Sequence, residues 1–368
     1  MSGKTRALTN AVKNQSEIAL GGARLHRALL AWFDVEKRPL PWRATSDPYA
    51  IWMSEVMSQQ TRVETVIPYY EKFLTAYPTV RTLAEAPVED VLGLWSGLGY
   101  YRRARMLHRT AQEVVARHDG AFPRDKAALE SLPGIGPYTA GAVASIAFQE
   151  PASVVDGNVV RVFARLFNDD TDGRAPAGLA HFRKRADALV SAERPGDWNQ
   201  ALMELGATVC TPREPRCLLC PLATVCEARS AGTARDLPRL TKKAKPVAAA
   251  FDALVVAAPN RVLLAERKAD GLFGGLLEPP LFDTAPTLLE AAQEARLSIG
   301  DSLGIVQHTL SHRKFSIATH RAVHALDVMP PLPVSGAYVA LHAVEWPLPK
   351  DTRVSTLARK ILALALET

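Results

Sequence analysis

The chain has 368 residues, 48% hydrophobic and 22% charged, with 44 Lys plus Arg, 38 Asp plus Glu and a net charge of +6. That composition excludes a largely disordered chain, and the length leaves room for two domains. No run of about 18 consecutive apolar residues occurs, so no membrane-spanning helix is expected, and the basic balance suits a polyanionic partner without specifying any chemistry.

Residues 1–20 are polar and basic and have no apolar h-region. They read as a flexible tail without a secretory signal, so a cytoplasmic or nucleoid-associated location is expected. Residues 21–234 read as all-α. Ile51, Trp52, Met57, Val63 and Val66 follow Asp47-Pro48 at helical spacing, and Pro48 suits a first turn. Leu107, Ala111 and Val115 form a second period, stopped by Asp119-Gly120. Val159, Val160, Phe163 and Leu166 form a third. Turns fall at Ser96-Gly97-Leu98-Gly99, Leu132-Pro133-Gly134 and Arg194-Pro195-Gly196. Residues 235–248, holding Pro238, Lys242, Lys243, Lys245 and Pro246, read as a basic linker. After it the period changes. Residues 254–257 and 262–264 flank Pro259-Asn260-Arg261 as a hairpin, with further strand text at 305–306 and 317–323. Helical text returns at 287–296 and 354–366, so residues 249–368 read as α+β.

Four segments carry chemistry. All four cysteines of the chain, Cys210, Cys217, Cys220 and Cys226, fall in one short stretch. Four clustered thiolates can surround a zinc ion or a 4Fe–4S cluster, and an exported disulfide framework would rarely pack them so tightly. In Leu132-Pro133-Gly134-Ile135-Gly136-Pro137-Tyr138, the glycines Gly134 and Gly136 let backbone N–H groups face an anion at a helix start; a plain interhelical turn has the same look. Asp156, in Val155-Asp156-Gly157-Asn158, stands where a helix begins. It serves there as an N-cap, or as a carboxylate kept ionised beside a developing cation. Glu55 lies three and four residues after Trp52 and Ile51, on one helical face. Burial there would hold it protonated near neutral pH, whereas a surface Glu would simply pair with a cation. The neighbouring Gln59 and Gln60 have no obvious core role.

These motifs, in this order, resemble the helix-hairpin-helix DNA glycosylase superfamily, and within it the adenine DNA glycosylase family. The resemblance runs over residues 25–368 and includes Leu40-Pro41-Trp42-Arg43, Gly97-Leu98-Gly99-Tyr100-Tyr101 and Trp198-Asn199-Gln200-Ala201. It implies two domains: an all-α helix-hairpin-helix glycosylase domain over 21–234, with an iron–sulfur loop at 210–226, then an α+β Nudix-like domain over 249–368. It implies one 4Fe–4S cluster on the four cysteines, and double-stranded DNA carrying adenine opposite 8-oxoguanine or guanine as the partner. A monomer is the default state. Glu55 matches the family's general acid, which protonates adenine N7 once the nucleotide is extruded from the stack. Asp156 matches the carboxylate that stabilises the sugar cation. Tyr138 and Asn158 match residues that hold the water, the Asp and the sugar. Gln60 and Tyr100 match residues that enter the stack, with Gln59 beside them; Arg43 and Gln200 match residues at the adenine pocket.

Tyr138 stands where endonuclease III-like glycosylase/lyases, which act on oxidised pyrimidines, carry a lysine that forms a Schiff base. The resemblance therefore implies a monofunctional enzyme that leaves an abasic site, with the lyase type as the alternative. In the second domain the acidic Nudix box is missing after Gly271-Leu272-Phe273-Gly274-Gly275, so nucleotide hydrolysis is not expected. Leu310-Ser311-His312 matches a Phe-Ser-His loop that recognises 8-oxoguanine. Its departure is Leu310 for Phe; a second departure is Ser58, where relatives usually carry Leu.

Overall fold

In a computed structural model of the chain, residues 22–242, 244–324, 330 and 332–367 are described. The tail expected at 1–20, and Lys243 of the linker, lie outside them. The chain divides into two compact units: one takes in residues up to Gln59 with Glu113–Lys242, the other Gln60–Gln112 with the chain from Lys243 onward.

The first unit is helical. Its elements are α1 (22–36), α2 (Pro48–Ser58), α7 (Lys126–Glu130), α8 (Pro137–Phe148), α9 (Gly157–Leu166), α10 (Pro176–Leu189), α11 (Pro195–Thr208) and α12 (Glu227–Ser230). Pro48 does open α2, behind an Asp47 cap that accepts from Tyr49 N. One core joins Leu29 and Phe33 of α1 to Phe163, Phe182, Trp198 and Leu202, and the four cysteines pack against its edge. Between α7 and α8, Gly134 takes φ +79°, a left-handed turn that glycine adopts without strain. It sets up the extended N-cap Gly136 and the start of α8 at Pro137.

The second unit begins with α3 (Val63–Ala76), α4 (Val80–Glu85), α5 (Val88–Leu94) and the first turns of α6 (Arg102–His118). The period expected in α6 buries Leu107 and Ala111 but takes Val114 rather than Val115, because the buried stripe winds at the helical pitch. As expected, α6 stops at Asp119-Gly120, both at positive φ.

A seven-stranded mixed sheet follows, built from β1 (Val247–Ala258), β2 (Arg261–Arg267), β3 (Leu277–Glu278), β4 (Leu281–Phe282), β5 (Gly304–Thr309), β6 (Arg313–Val323) and β7 (Tyr338–Glu345). The hairpin expected at Pro259-Asn260 joins β1 to β2. Strand β1 starts at Val247, so the last two residues assigned to the linker are already strand. Burial alternates by face: Ala253 and Val255 pack with α14 (Thr356–Leu366), and Leu254 and Val256 with α13 (Ala285–Glu294). Helices on both faces explain the continuous apolar run at 253–257, which a one-sided antiparallel sheet would not need. Val354 O, just before α14, accepts from both Ser96 Oγ and Tyr101 Oη, each at 3.0 Å, tying the 96–101 turn to this sheet domain.

Candidate active site

Glu55, Tyr138, Asp156 and Asn158 all lie in the first unit. Glu55 is only 8% exposed, on an α2 whose residues from Tyr49 to Met57 are all buried. Tyr138, in the first turn of α8, donates its hydroxyl to Glu55 Oε2 at 2.7 Å, and that hydroxyl also lies 3.2 Å from Met203 Sδ. Burial raises the Glu55 carboxyl to about 7, aided by the Asp156 charge; the Tyr138 hydrogen bond and the Arg43 charge oppose it. Burial also pushes the Tyr138 phenol above its ordinary value, so it stays a donor. Of the two readings of Glu55, the buried one is found, with its carboxyl raised toward neutral pH.

Asp156 is the N-cap of α9. Its Oδ1 accepts from Asn158 N at 2.9 Å and Val159 N at 2.8 Å, while Oδ2 accepts from Asn158 Nδ2 at 2.8 Å. Burial pushes this carboxyl up, and the three donors together with the Arg161 charge work against it. Three donors serve Asp156 and one serves Glu55, so the two carboxyls are solvated unequally by design of their surroundings.

Asn158 has its amide orientation fixed from behind. Arg161 Nη2 donates to Asn158 Oδ1 and to Gly206 O, both at 2.7 Å, and Arg161 Nε donates to Cys210 O at 2.7 Å. The oxygen being taken, only the amide nitrogen can face Asp156. Gly206 permits this approach of α11: a Cβ there would stand 2.6 Å from Asn158 Cβ. One turn along α9, the buried Arg165 donates to Leu237 O, Thr211 O, Pro212 O and Cys210 Sγ, the last at 3.3 Å. Helix α9 thus starts at the candidate catalytic carboxylate and carries two buried guanidiniums into the cysteine loop. Arg161→Ala is expected to lower base release about tenfold and to lower Tm, since it strands the buried Gly206 carbonyl and the part-buried Cys210 carbonyl and frees the Asn158 amide to turn. Single-turnover kinetics and calorimetry check it; unchanged kinetics with a lowered Tm would make Arg161 a fold brace only.

Cys210, Cys217, Cys220 and Cys226 line one pocket together with Arg165, Arg216 and Arg229. Burial, with the neighbouring three sulfurs adding, pushes the Cys220 thiol up to about 12. Among the described residues no three His, Cys, Asp or Glu side chains are grouped as ligands of a single metal ion.

The other expected site residues fall into two sets. In the first unit, Arg43 binds Glu204 Oε2 at 2.9 Å and Arg38 O at 3.0 Å. Gln59 Nε2 reaches Thr139 Oγ1 at 3.4 Å, and Gln200 is half-buried on α11. In the second unit, Gln60 and Tyr100 both hold left-handed backbone, at φ +58° and +51°, the strained region where bulky residues are uncommon. Gln60 is exposed and Tyr100 is 47% exposed. Ser311 and His312 form the exposed tip between β5 and β6, closed by Leu310 N donating to Arg313 O at 2.8 Å. Leu310, the departure from Phe, packs against the α14-side core.

Sequence reasoning missed Glu204, Asn199 and the pair Arg161 and Arg165. Glu204 is buried and held low by Arg38 and Arg43 despite its burial. Asn199 ties Ser145 Oγ, Ala152 O and Val154 N together, bracing the segment that leads to Asp156. A signal existed for the arginines: two basic residues four apart inside the apolar period of α9 are expensive to bury unless something there needs them.

Residues 53–184 match the family model of the HhH-GPD superfamily base excision DNA repair protein. Among curated relatives, the chain is similar to the adenine DNA glycosylase of Rattus norvegicus: 35% identity over 398 residues, covering 91% of this chain and 76% of the relative. It is also similar to that of Buchnera aphidicola subsp. Baizongia pistaciae: 33% identity, covering 78% of this chain and 82% of the relative. Among solved structures, a thermostable thymine-DNA glycosylase aligns with TM-score 0.53 at 28% identity, over 60% of this chain and 99% of that one.

Proposed function

We propose, from the premise that this chain belongs to the adenine DNA glycosylase family, that the adenine it removes is the one facing 8-oxoguanine or guanine, and that it acts as a monofunctional glycosylase. The chain is a DNA glycosylase of base-excision repair, cleaving the N-glycosidic bond of adenine. The observation that carries the mechanism is the unequal carboxyl pair: Glu55, buried and served among the described residues by Tyr138, beside Asp156, served by three donors.

With the adenine nucleotide extruded, the Glu55 proton passes to adenine N7 and the C1′–N9 electron pair leaves with the base. Positive charge develops on the sugar, and the Asp156 carboxylate stabilises it. The carboxylate left on Glu55 then accepts the proton of the water that adds at C1′. Asn158 keeps Asp156 oriented. Tyr138 is a donor with no amine, so no Schiff base forms and the strand stays intact. The turn Gly134 to Gly136, ahead of α8, offers backbone N–H groups to a DNA phosphate.

The four thiols suit a 4Fe–4S cluster. Cys210, Cys217, Cys220 and Cys226 line one pocket and would hold the cluster there as its four thiolate ligands. Arg165 Nη1 stands 3.3 Å from Cys210 Sγ, where its charge would favour the thiolate that ligation requires. With a cluster there, these four residues would tie 210–226 into one closed loop.

The sheet domain is read as Nudix-like: a mixed sheet between α13 and α14, without the acidic metal box. Ser311, at an exposed tip, is its hydrogen-bonding group for 8-oxoguanine. A membrane role has no support in the helices, since none among the described residues is long and apolar enough to span a bilayer.

The test is single-turnover base release from duplexes carrying adenine opposite 8-oxoguanine, adenine opposite guanine, or thymine glycol, each with and without alkali. Adenine release that yields strand breaks only after alkali is expected. Breaks without alkali would overturn the role given to Tyr138, and equal rates opposite 8-oxoguanine and guanine would overturn the role given to Ser311. Iron analysis of the same preparation is expected to give about four irons per chain.

A further inference from the structure

We propose that Arg103 is a positioning residue that clamps the turns carrying Gln60 and Tyr100 into one wedge, so that it governs extrusion of the adenine nucleotide and not cleavage of its glycosidic bond. This rests on the reading of Gln60 and Tyr100 as residues that enter the base stack.

All the groups concerned lie in the second compact unit. Arg103 sits in the first turn of α6. Its Nη2 donates to Thr61 Oγ1 at 3.0 Å, beside Gln60, and to Gly99 O at 3.2 Å and Leu98 O at 3.4 Å, just before Tyr100. The guanidinium carbon stands 5.3 Å from the Tyr100 ring centroid and 5.3 Å from that of Trp95. Trp95 is fully buried and donates Nε1 to Gly99 O at 2.9 Å, so the stack rests on a fixed base. One planar cation therefore touches both turns and the ring of Tyr100 itself.

The 96–100 turn has braces besides this cation. Tyr69 Oη donates to Ser96 O at 2.7 Å, Trp95 braces Gly99, and Tyr101 Oη receives Gly97 N at 3.2 Å. The bond to Thr61 is an additional link, and it joins the two turns that hold exposed side chains on left-handed backbone. Such strain persists where surroundings over-determine it, and it recurs at functional sites. A lysine would keep the charge but lose the flat face and the fork that let one side chain stack and donate together. Burial lowers the guanidinium to about 10, which leaves it charged at neutral pH.

The experiment places 2-aminopurine next to the target adenine and follows its fluorescence rise as the stack opens. Base release is measured in parallel from the paired duplex and from an adenine displayed in a single-nucleotide bulge, where little unstacking is required. Arg103→Ala and Arg103→Lys are expected to slow the fluorescence rise and duplex release by about tenfold, the loss of one stacked, charge-assisted contact, while bulge release stays within about twofold. Thr61→Val, which removes the hydroxyl that Arg103 Nη2 bonds, is expected to move the same readouts in the same direction by about threefold. Equal slowing of duplex and bulge would make Arg103 a general brace and overturn the proposal. So would unchanged extrusion in the Arg103 variants while Tyr100→Ala slows it. If Tyr100→Ala also leaves extrusion unchanged, the stack-entering reading itself fails and takes the proposal with it. Should Arg103→Ala fail to fold, Thr61→Val decides, and an unchanged fluorescence rise in that variant rejects the clamp.

Discussion

Glu55→Gln is expected to lower single-turnover adenine release by about three orders of magnitude while leaving affinity for the mismatched duplex intact, the size of loss a general acid commands. The exchange is nearly isosteric, and the Tyr138 hydroxyl keeps an oxygen to bond 2.7 Å away, so geometry survives and only the proton is lost. The pH dependence follows from the same burial. With the folded-state carboxyl at about 7, the acid is present below that pH, and wild-type base release should fall as pH rises through it. Stability shares the direction. The carboxyl is raised from 4.5 to about 7, so the folded state keeps a proton that the unfolded chain has already released. Its contribution is complete below 4.5 and is lost as pH climbs through about 7, an effect of about 3 kcal/mol. Glu55→Gln should therefore show a higher Tm than the wild type at pH near 8 and no gain in acid. A variant that keeps full activity, or a wild-type rate that is flat across neutral pH, removes Glu55 from the role of proton donor.

How much of this was legible in the sequence depends on the range over which each feature is written. Glu55 could be placed because its apolar neighbours Ile51 and Trp52 are within one helical turn, although α2 turned out buried on every side and not on one. The Asp156 cap and the cysteine spacing are equally local. The long-range partners are not. Arg161 and Arg165 read as ordinary basic residues until the fold brings Gly206, Cys210 and Leu237 up to them. In the sheet, β7 was missed although Tyr338–Glu345 is β-prone, because it pairs with β2 across some 75 residues and few of its side chains are fully buried. The parallel partnership of β1 with β6 has no local signature either, since parallel strands are joined only by long crossovers. Grouping of residues 60–112 with the sheet domain is likewise a matter of contacts such as Arg105 to Gly274 O and Lys72 to Asp351, which link these helices to turns of that domain across the whole middle of the chain.

Asp156→Asn separates two jobs that one side chain performs. As an N-cap, asparagine is as good as aspartate, so the start of α9 should form and Tm should fall by little. As the stabiliser of a sugar cation, asparagine has no charge to offer. Its amide nitrogen would also meet the Asn158 amide nitrogen, which now donates to Asp156 Oδ2 and is held in that orientation by Arg161. Adenine release is therefore expected to fall by about three orders of magnitude, the scale of a preorganised electrostatic contact in a water-poor site. Asp156→Ala should match that kinetic loss and add about 1 kcal/mol of destabilisation from the missing cap. Measured side by side, release rates and Tm values give a two-way readout. A capping role alone predicts a near-native Asn variant and a damaged Ala variant, whereas an electrostatic role predicts two equally slow enzymes that differ only in stability. A near-native rate for Asp156→Asn would mean that the sugar cation is stabilised by something other than this carboxylate. The same three donors would then be a means of starting α9 and nothing more.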